Sequence, residues 1–242
     1  MIRTVLVVVY LLTVLNLSAG ISEAEPGNRG EAPMAHELTR NIDWLGHATF
    51  RIRGSSVVYV DPWRIEGSPH DADLVLVTHS HYDHLSLEDI ARVGKPGVKV
   101  VAPESTAESW TKRSVIFVSP GQQLDLDGVK IEVVPAYNTD KDFHPKSQRW
   151  VGYVVEMDGV RYYHAGDTDL IDEMKEIRCD VAMLPVSGIY VMNARMAVDA
   201  AARIGCRAAI PMHWGEIVGK KEDAVWFKDH SPCSVTILER VK

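Results

Sequence analysis

Short apolar runs separated by turn residues fill the chain from about residue 36 onward. Val57-Val58-Tyr59-Val60, Leu74-Val75-Leu76-Val77, Val98–Val101 and Val115-Ile116-Phe117-Val118 are short and rich in β-branched residues, which predicts strands. Asp127-Gly128 divides Leu124 from the alternating Val129-Lys130-Ile131-Glu132-Val133. Asp158-Gly159 divides Tyr153-Val154-Val155 from Val160-Arg161-Tyr162-Tyr163. Asp-Gly tolerates the positive φ that a two-residue hairpin turn demands, so both places predict antiparallel hairpins. Val181–Leu184, Ala208-Ala209-Ile210 and Val235–Leu238 complete the expected strands.

Helical signals are fewer. Ser86 can cap Leu87–Arg92, with Gly94 past its end, and Asn193–Ile204 is followed by Gly205. Asp169–Ile177 and Glu222–Asp229 are weaker helical stretches. Strands and hairpins first, then strand–helix units, predict a layered α/β fold with helices outside paired sheets.

The N-terminus reads differently. Arg3 precedes an apolar run, Val5–Leu15, that is short for a bilayer span of about 20 residues. Small residues follow at Ser18-Ala19-Gly20 and Ser22-Glu23-Ala24. Residues 1–24 read as a cleaved export signal, the alternatives being an uncleaved anchor or a buried element. Residues 25–35 read as a linker and 36–242 as one domain. The expected location is therefore periplasmic or secreted, with no stable membrane span once the signal is removed.

Composition narrows the function classes. The 242 residues are 46% hydrophobic and 24% charged, the balance of a folded protein. A net charge of −7 argues against a nucleic-acid partner and leaves a small-molecule substrate as the expectation. Cys179, Cys206 and Cys233 are too scattered for a cysteine zinc site; they read as buried thiols with at most one disulfide. Ten histidines stand out, several of them crowded together.

His79-Ser80-His81-Tyr82-Asp83-His84 follows directly on the run Leu74–Val77 and Thr78. The end of a buried strand is where open α/β sheets place their chemistry. His79 and His81, two apart, point the same way in an extended segment, and Asp83 and His84 come after the expected turn. Imidazole and carboxylate suit zinc, iron or manganese. Two further strand ends offer partners: Tyr162-Tyr163-His164-Ala165-Gly166-Asp167-Thr168, and Ile210-Pro211-Met212-His213-Trp214-Gly215. Asp167 could bridge two metals or cap a helix from Asp169. His213 could be a ligand or a satisfied core histidine, and His164, inside a strand run, reads as support or packing.

These residues resemble the metallo-β-lactamase-fold hydrolases. The resemblance rests on His79-x-His81-x-Asp83-His84, Gly166-Asp167-Thr168 and Pro211-Met212-His213. Trp44-Leu45-Gly46-His47-Ala48, Val60-Asp61-Pro62-Trp63 and Leu184-Pro185-Val186 support it, toward the branch of ascorbate-phosphate lactonase-like and related uncharacterised hydrolases. It implies a four-layer αβ/βα sandwich and two divalent ions, zinc first, with Mn2+ or Fe2+ as alternatives. In that scheme His79 and His81 bind the first ion, Asp83, His84 and His213 bind the second, and Asp167 bridges them. Asn138 stands where many members have the first ion's third histidine, and His144, six residues on, is the expected substitute. Two ions about 3.5–4 Å apart bring +4 against −2 from Asp83 and Asp167, a field that lowers the pKa of a bound water toward about 7. Asp83 is the expected catalytic group, orienting that water or taking its proton.

The expected activity is hydrolysis of a lactone, amide or phosphoester. A non-catalytic metal- or ligand-binding domain and a di-iron redox protein are alternatives on the same ligands. Lys141, Lys146 or Arg149 could hold an anionic substrate group or belong to a solvated loop. Tyr190 and Met192 could line the pocket, and Trp63, Trp150 and Trp214 could flank it.

Overall fold

In the computed structural model, which describes residues 35–111 and 114–242, the apolar runs become two mixed sheets, each with its strands in chain order. The first holds β1 (Ile42–Gly46), β2 (Thr49–Arg53), β3 (Val57–Val60), β4 (Ala72–Leu76), β5 (Gly94–Pro103) and β6 (Ile116–Val118). The second holds β7 (Gln123–Leu126), β8 (Val129–Pro135), β9 (Val151–Met157), β10 (Val160–His164), β11 (Val181–Pro185), β12 (Ala208–Met212) and β13 (Ser234–Val235). Each sheet starts antiparallel and turns parallel, at β3–β4 in the first and at β10–β11 in the second. The helices are α1 (Ala35–Thr39), α2 (Leu87–Val93), α3 (Ala194–Ile204) and α4 (Lys221–His230). The expected signal and residues 25–34 of the expected linker lie outside the described residues; Ala35 opens α1.

Side-chain alternation sorts the apolar residues into layers. Val58 and Val60 of β3, Leu74 and Leu76 of β4 and Val101 of β5 join Ile131, Val133, Tyr153 and Val155 of the second sheet in one buried core. Their neighbours Tyr59, Val75, Val100 and Ala102 face the other way and pack with Ile90 and Val93 of α2. α3 buries Ala197, Ala200, Ala201 and Ile204, and α4 buries Ala224 and Phe227, over the second sheet. The layers run helix, sheet, sheet, helix: the αβ/βα sandwich.

Local signals act as their chemistry requires. Asp127 and Gly128 take φ of 56° and 86°, and Asp158 and Gly159 take 53° and 77°, both in two-residue hairpin turns. Ser86 accepts from Asp89 N at 3.2 Å and Asn193 accepts from Met196 N at 3.0 Å, capping α2 and α3. Gly205 ends α3 in the left-handed conformation.

Three stretches differ from expectation. β1 and β2 carry no hairpin signal in the sequence, because their turn is His47-Ala48 rather than Asp-Gly, and polar residues dilute their apolar pattern. Phe50 and Ile52 of β2 are buried, while Arg51 and Arg53 both bind Asp43. Asp169–Ile177 forms only a 3-10 turn, Asp172–Glu176, preceded by Ile171 without a side-chain cap, so Asp167 caps no helix. Of Val235–Leu238, only Val235 joins a strand. The three thiols are free, with Cys206 Sγ 3.5 Å from Cys233 Sγ. Among the described residues no helix is long and apolar enough to cross a membrane.

The sheets are tied where the site forms. Tyr153 Oη donates to Val77 O at 2.7 Å, Val151 N to Thr78 O at 3.2 Å, and His164 Nε2 to Ala48 O at 2.8 Å. Within the second sheet, Gly152 of β9 lets the end of β10 lie close against it, since a Cβ there would stand 2.7 Å from His164 O and 2.8 Å from Ala165 O. Gly152→Ala is therefore expected to destabilise the protein by about 2 kcal/mol. Urea denaturation should show a lower midpoint at unchanged m; an unchanged midpoint would mean that the two strands part freely here.

Candidate metal centre

Four strand ends deliver the polar cluster. The segment after β4 carries His79, His81, Asp83 and His84; the segment after β10 carries Asp167; His213 follows β12; His47 sits in the β1–β2 turn. His144 arrives from the loop between β8 and β9. That loop folds back on itself through Asn138 N, which donates to His144 O at 2.8 Å. His47, His79, His84, His144, Asp167 and His213 are all buried, while His81 and Asp83 keep a partly open face.

The outer nitrogen of each buried ring is held, which decides where the inner one points. Thr78 Oγ1 donates to Asp61 Oδ2 at 2.6 Å and so accepts from His79 Nδ1 at 2.9 Å. His84 Nδ1 donates to the same Asp61 oxygen at 2.7 Å. His144 Nδ1 donates to Tyr190 O at 3.0 Å, and His213 Nδ1 lies 3.2 Å from Ser187 Oγ. In His79, His84, His144 and His213 it is Nε2 that is thereby turned inward.

The inner atoms form two groups about Asp167. His81 Nδ1 is 3.1 Å from His79 Nε2 and 3.2 Å from His144 Nε2. Asp167 Oδ2 is 3.1 Å from both His144 Nε2 and His213 Nε2 and 3.9 Å from His79 Nε2, while Asp167 Oδ1 is 3.4 Å from His84 Nε2. Asp83 Oδ2 lies 3.9 Å from His84 Nε2 and 3.1 Å from His47 Nε2. His84 Nε2 and Asp167 Oδ1 are buried without a hydrogen-bond partner. Ligand atoms about 2.0–2.1 Å from a tetrahedral metal stand about 3.3 Å from one another. Several of these separations also suit hydrogen bonds, but His84 Nε2 and Asp167 Oδ1 have no such partner. The spacing and the unpartnered atoms thus fit divalent ions, and three groups of ligand atoms within 4.8 Å of one another result: His79, His81 and His144; His79, His84 and Asp167; His47, Asp83, His84 and His213.

Electrostatics follow the burial. Burial pushes His79 well below the ordinary imidazole pKa, and pushes His47 down to about 4 despite its bond to Asp83. His47 is therefore neutral and donates Nε2–H to Asp83. Burial alone would lower His84 too, but Asp167 and Asp61 outweigh it and hold the ring well above its usual value. Burial would raise the two carboxylates, yet His213 and His84 hold Asp167 well below the ordinary range, and His47 and His84 hold Asp83 at about 2.

All seven residues singled out in the sequence, His79, His81, Asp83, His84, His144, Asp167 and His213, converge here. Asn138 does not reach the inner face: its amide donates to Tyr190 O at 2.7 Å, on the outer side of His144. His164 accepts from Gly166 N and donates to Ala48 O, a sheet-to-sheet tie outside the cluster. Sequence reasoning left His47 unassigned and gave Asp61 no role. Both sit beside strands of the first sheet, and both adopt positive φ, 49° and 47°.

Over the cluster opens a cavity of about 250 Å³. His81, Asp83, His144, Asp167 and His213 form its polar floor, and Tyr82, Phe143, Tyr190 and Ile217 its walls. Met192 is buried in the core instead of lining the cavity. Trp150 packs on His79 and His81, Trp63 on His47, and Trp214 on Trp44, so the tryptophans brace histidines and core and do not line the cleft.

Residues 41–213 match the β-lactamase superfamily domain. The chain is 37% identical over 199 residues to a UPF0173 metal-dependent hydrolase of Methanoculleus marisnigri, covering 77% of this chain and 86% of that one. It is 33% identical over 202 residues to a second, from Thermococcus onnurineus, covering 75% and 89%. Its structure is similar to Igni18, a metallo hydrolase of Ignicoccus hospitalis, with a TM-score of 0.69, 25% identity, and coverage of 83% and 95%. With the sandwich and its buried histidine cluster, these matches make the chain a metal-dependent hydrolase of the metallo-β-lactamase superfamily.

Proposed function

We propose that the cluster holds two divalent ions, zinc first, and that the enzyme cleaves a lactone, amide or phosphoester. Asp167 carries this reading: its Oδ2 lies 3.1 Å from both His144 and His213 Nε2 and 3.9 Å from His79 Nε2, and its Oδ1 lies 3.4 Å from His84 Nε2, so one carboxylate reaches ligands of both ions. His79, His81 and His144 would hold the first ion, and Asp83, His84 and His213 the second, with Asp167 shared. When bound, such ions supply a water that ionises near neutral pH and polarise the oxygen of the scissile group.

The chain's own residues divide the remaining work. Asp83 is the carboxylate with an open edge, 13% exposed, and it faces the cavity floor. His47 fixes its orientation and keeps it ionised, so Asp83 can orient the attacking water or receive its proton. Asp167, only 3% exposed among four imidazoles, is less open to that task. Asp61 holds His79 through Thr78 and His84 directly, fixing both tautomers with one carboxylate. We also propose export, on the pattern of residues 1–24 alone.

Protein purified without chelator is expected to carry two zinc or manganese ions per chain, read by elemental analysis; iron with visible absorption would favour redox chemistry instead. His81→Ala should lose one ion and lower hydrolysis of the best ester or phosphodiester by about a hundredfold or more. Undiminished activity in that variant would overturn the assigned site. Asp61→Asn removes the acceptor shared by Thr78 and His84, and should weaken metal binding by about 10–100-fold in equilibrium dialysis. Unchanged affinity would show that the rings need no outer anchor. For export, N-terminal sequencing of protein recovered outside the cytoplasm should begin between Gly20 and Glu25; a chain still starting at Met1 would argue against cleavage.

A further inference from the structure

The walls of the cleft carry information that the metal ligands do not. Tyr82 is 68% exposed, Phe143 48% and Ile217 37%, and all three border the cavity beside Tyr190. Large apolar groups left open around a polar floor mark a surface that another apolar body covers. The wall is also held in place. Phe143 packs edge-on against Tyr190 with ring centroids 4.7 Å apart, and the Tyr190 carbonyl is the group that anchors Asn138 and His144. The wall and a candidate metal ligand therefore share one scaffold.

The cations that the sequence offers nearby are already engaged. Lys141 Nζ is bound by the buried carboxylate of Asp169 and by Asp140. Lys146 Nζ donates to Tyr137 Oη at 3.1 Å and to Glu173 at 2.9 Å, and its ammonium lies over the Tyr137 ring. Arg149 is exposed and does not border the cavity. Among the described residues, no lysine or arginine lines the cleft. A fixed anionic group on the substrate, away from the bond being cleaved, finds no lysine or arginine of the cleft to pair with, and wherever it presses on the apolar walls it loses water without compensation, which is costly.

We infer that this cleft selects a compact, uncharged carbonyl substrate, an ester or lactone whose apolar body packs against Phe143, Tyr190 and Ile217, and rejects analogues bearing a distal anion. A volume of about 250 Å³ lies below the usual range for drug-sized ligands and suits a body the size of one ring. The inference rests on the hydrolase reading above and deepens it. Hydrolysis adds water across the acyl C–O bond: the oxygen goes to the acyl carbon, one proton to the leaving alcohol, and no oxidant enters.

The test uses the metal-loaded protein and two matched pairs. Phenyl acetate and 4-sulfophenyl acetate report turnover; acetophenone and 4-acetylbenzenesulfonate, which cannot be hydrolysed, report binding by saturation-transfer NMR. The neutral ester should be favoured in kcat/KM by about tenfold or more, although the sulfonated ester has the better leaving group. Phe143→Ala should raise KM for phenyl acetate about fivefold to tenfold with little change in kcat, and Phe143→Leu should restore most of it. Acetophenone should show saturation transfer that Phe143→Ala diminishes. Equal or better turnover of the sulfonated ester, equal binding of the sulfonated ketone, or a KM indifferent to Phe143→Ala would overturn the inference. Selective binding of acetophenone without turnover of either ester would leave the cleft reading standing and sink the hydrolytic reading for carbonyl substrates.

Discussion

One buried carboxylate, Asp61, organises much of this site without facing the cavity. Its two oxygens accept from Thr78 N at 2.7 Å, from Thr78 Oγ1 at 2.6 Å and from His84 Nδ1 at 2.7 Å, and through the threonine it reaches His79. A fully buried charge is tolerable only when such partners surround it. The consequence lies on the far side of each ring. With Nδ1 engaged, His79 and His84 present Nε2 to the interior, where Tyr190 and Ser187 have likewise turned His144 and His213. The convergence of Nε2 atoms on Asp167 is thus imposed from outside the cluster.

The fold makes this arrangement possible by bringing strand ends together. Each sheet changes from antiparallel to parallel, and the parallel strands β4, β10, β11 and β12 end at the site. The backbone there is held in conformations that non-glycine residues seldom adopt. His47, Asp61, His144 and His213 all have φ between 47° and 60°. The couplings that hold them include His213 N to His47 O at 3.0 Å, and Trp44 Nε1, which donates to the same oxygen at 3.0 Å. Strain of this kind persists only where surrounding structure over-determines it, and here it places His47, His144 and His213 in the cluster and Asp61 behind its rings.

The parts of this picture legible in the sequence are those set by local chemistry. Asp-Gly pairs specified two hairpins, Ser86 and Asn193 specified helix starts, and the spacing of His79, His81, Asp83 and His84 specified one wall of a metal site. The rest depends on contacts that spacing cannot report. His47 looked like one more histidine because its strands were masked by alternating arginines, whose partner Asp43 lies across the β1–β2 pair. His144 rather than Asn138 reaches the interior because the loop between them closes through a backbone bond. Lys141 and Lys146 read as free cations until Asp169 and Glu173, about thirty residues further on, are folded against them.

The same long-range pairings determine the character of the cleft. Charge in this region is consumed inward: lysines on carboxylates, Asp83 on His47, and Asp167 among four imidazoles. What remains facing solvent around the polar floor is aromatic and aliphatic. An acidic chain of net −7 can in this way combine a cluster fit for cations with walls that offer an incoming molecule apolar area and no charge. Floor and walls alternate along the same segments: Tyr82 stands between His81 and Asp83, and Phe143 beside His144, while Tyr190 and Ile217 complete the walls. Because Tyr190 both packs on Phe143 and anchors His144, a change in the wall's backbone would be felt at the floor, whereas a change in the Phe143 side chain alone would not.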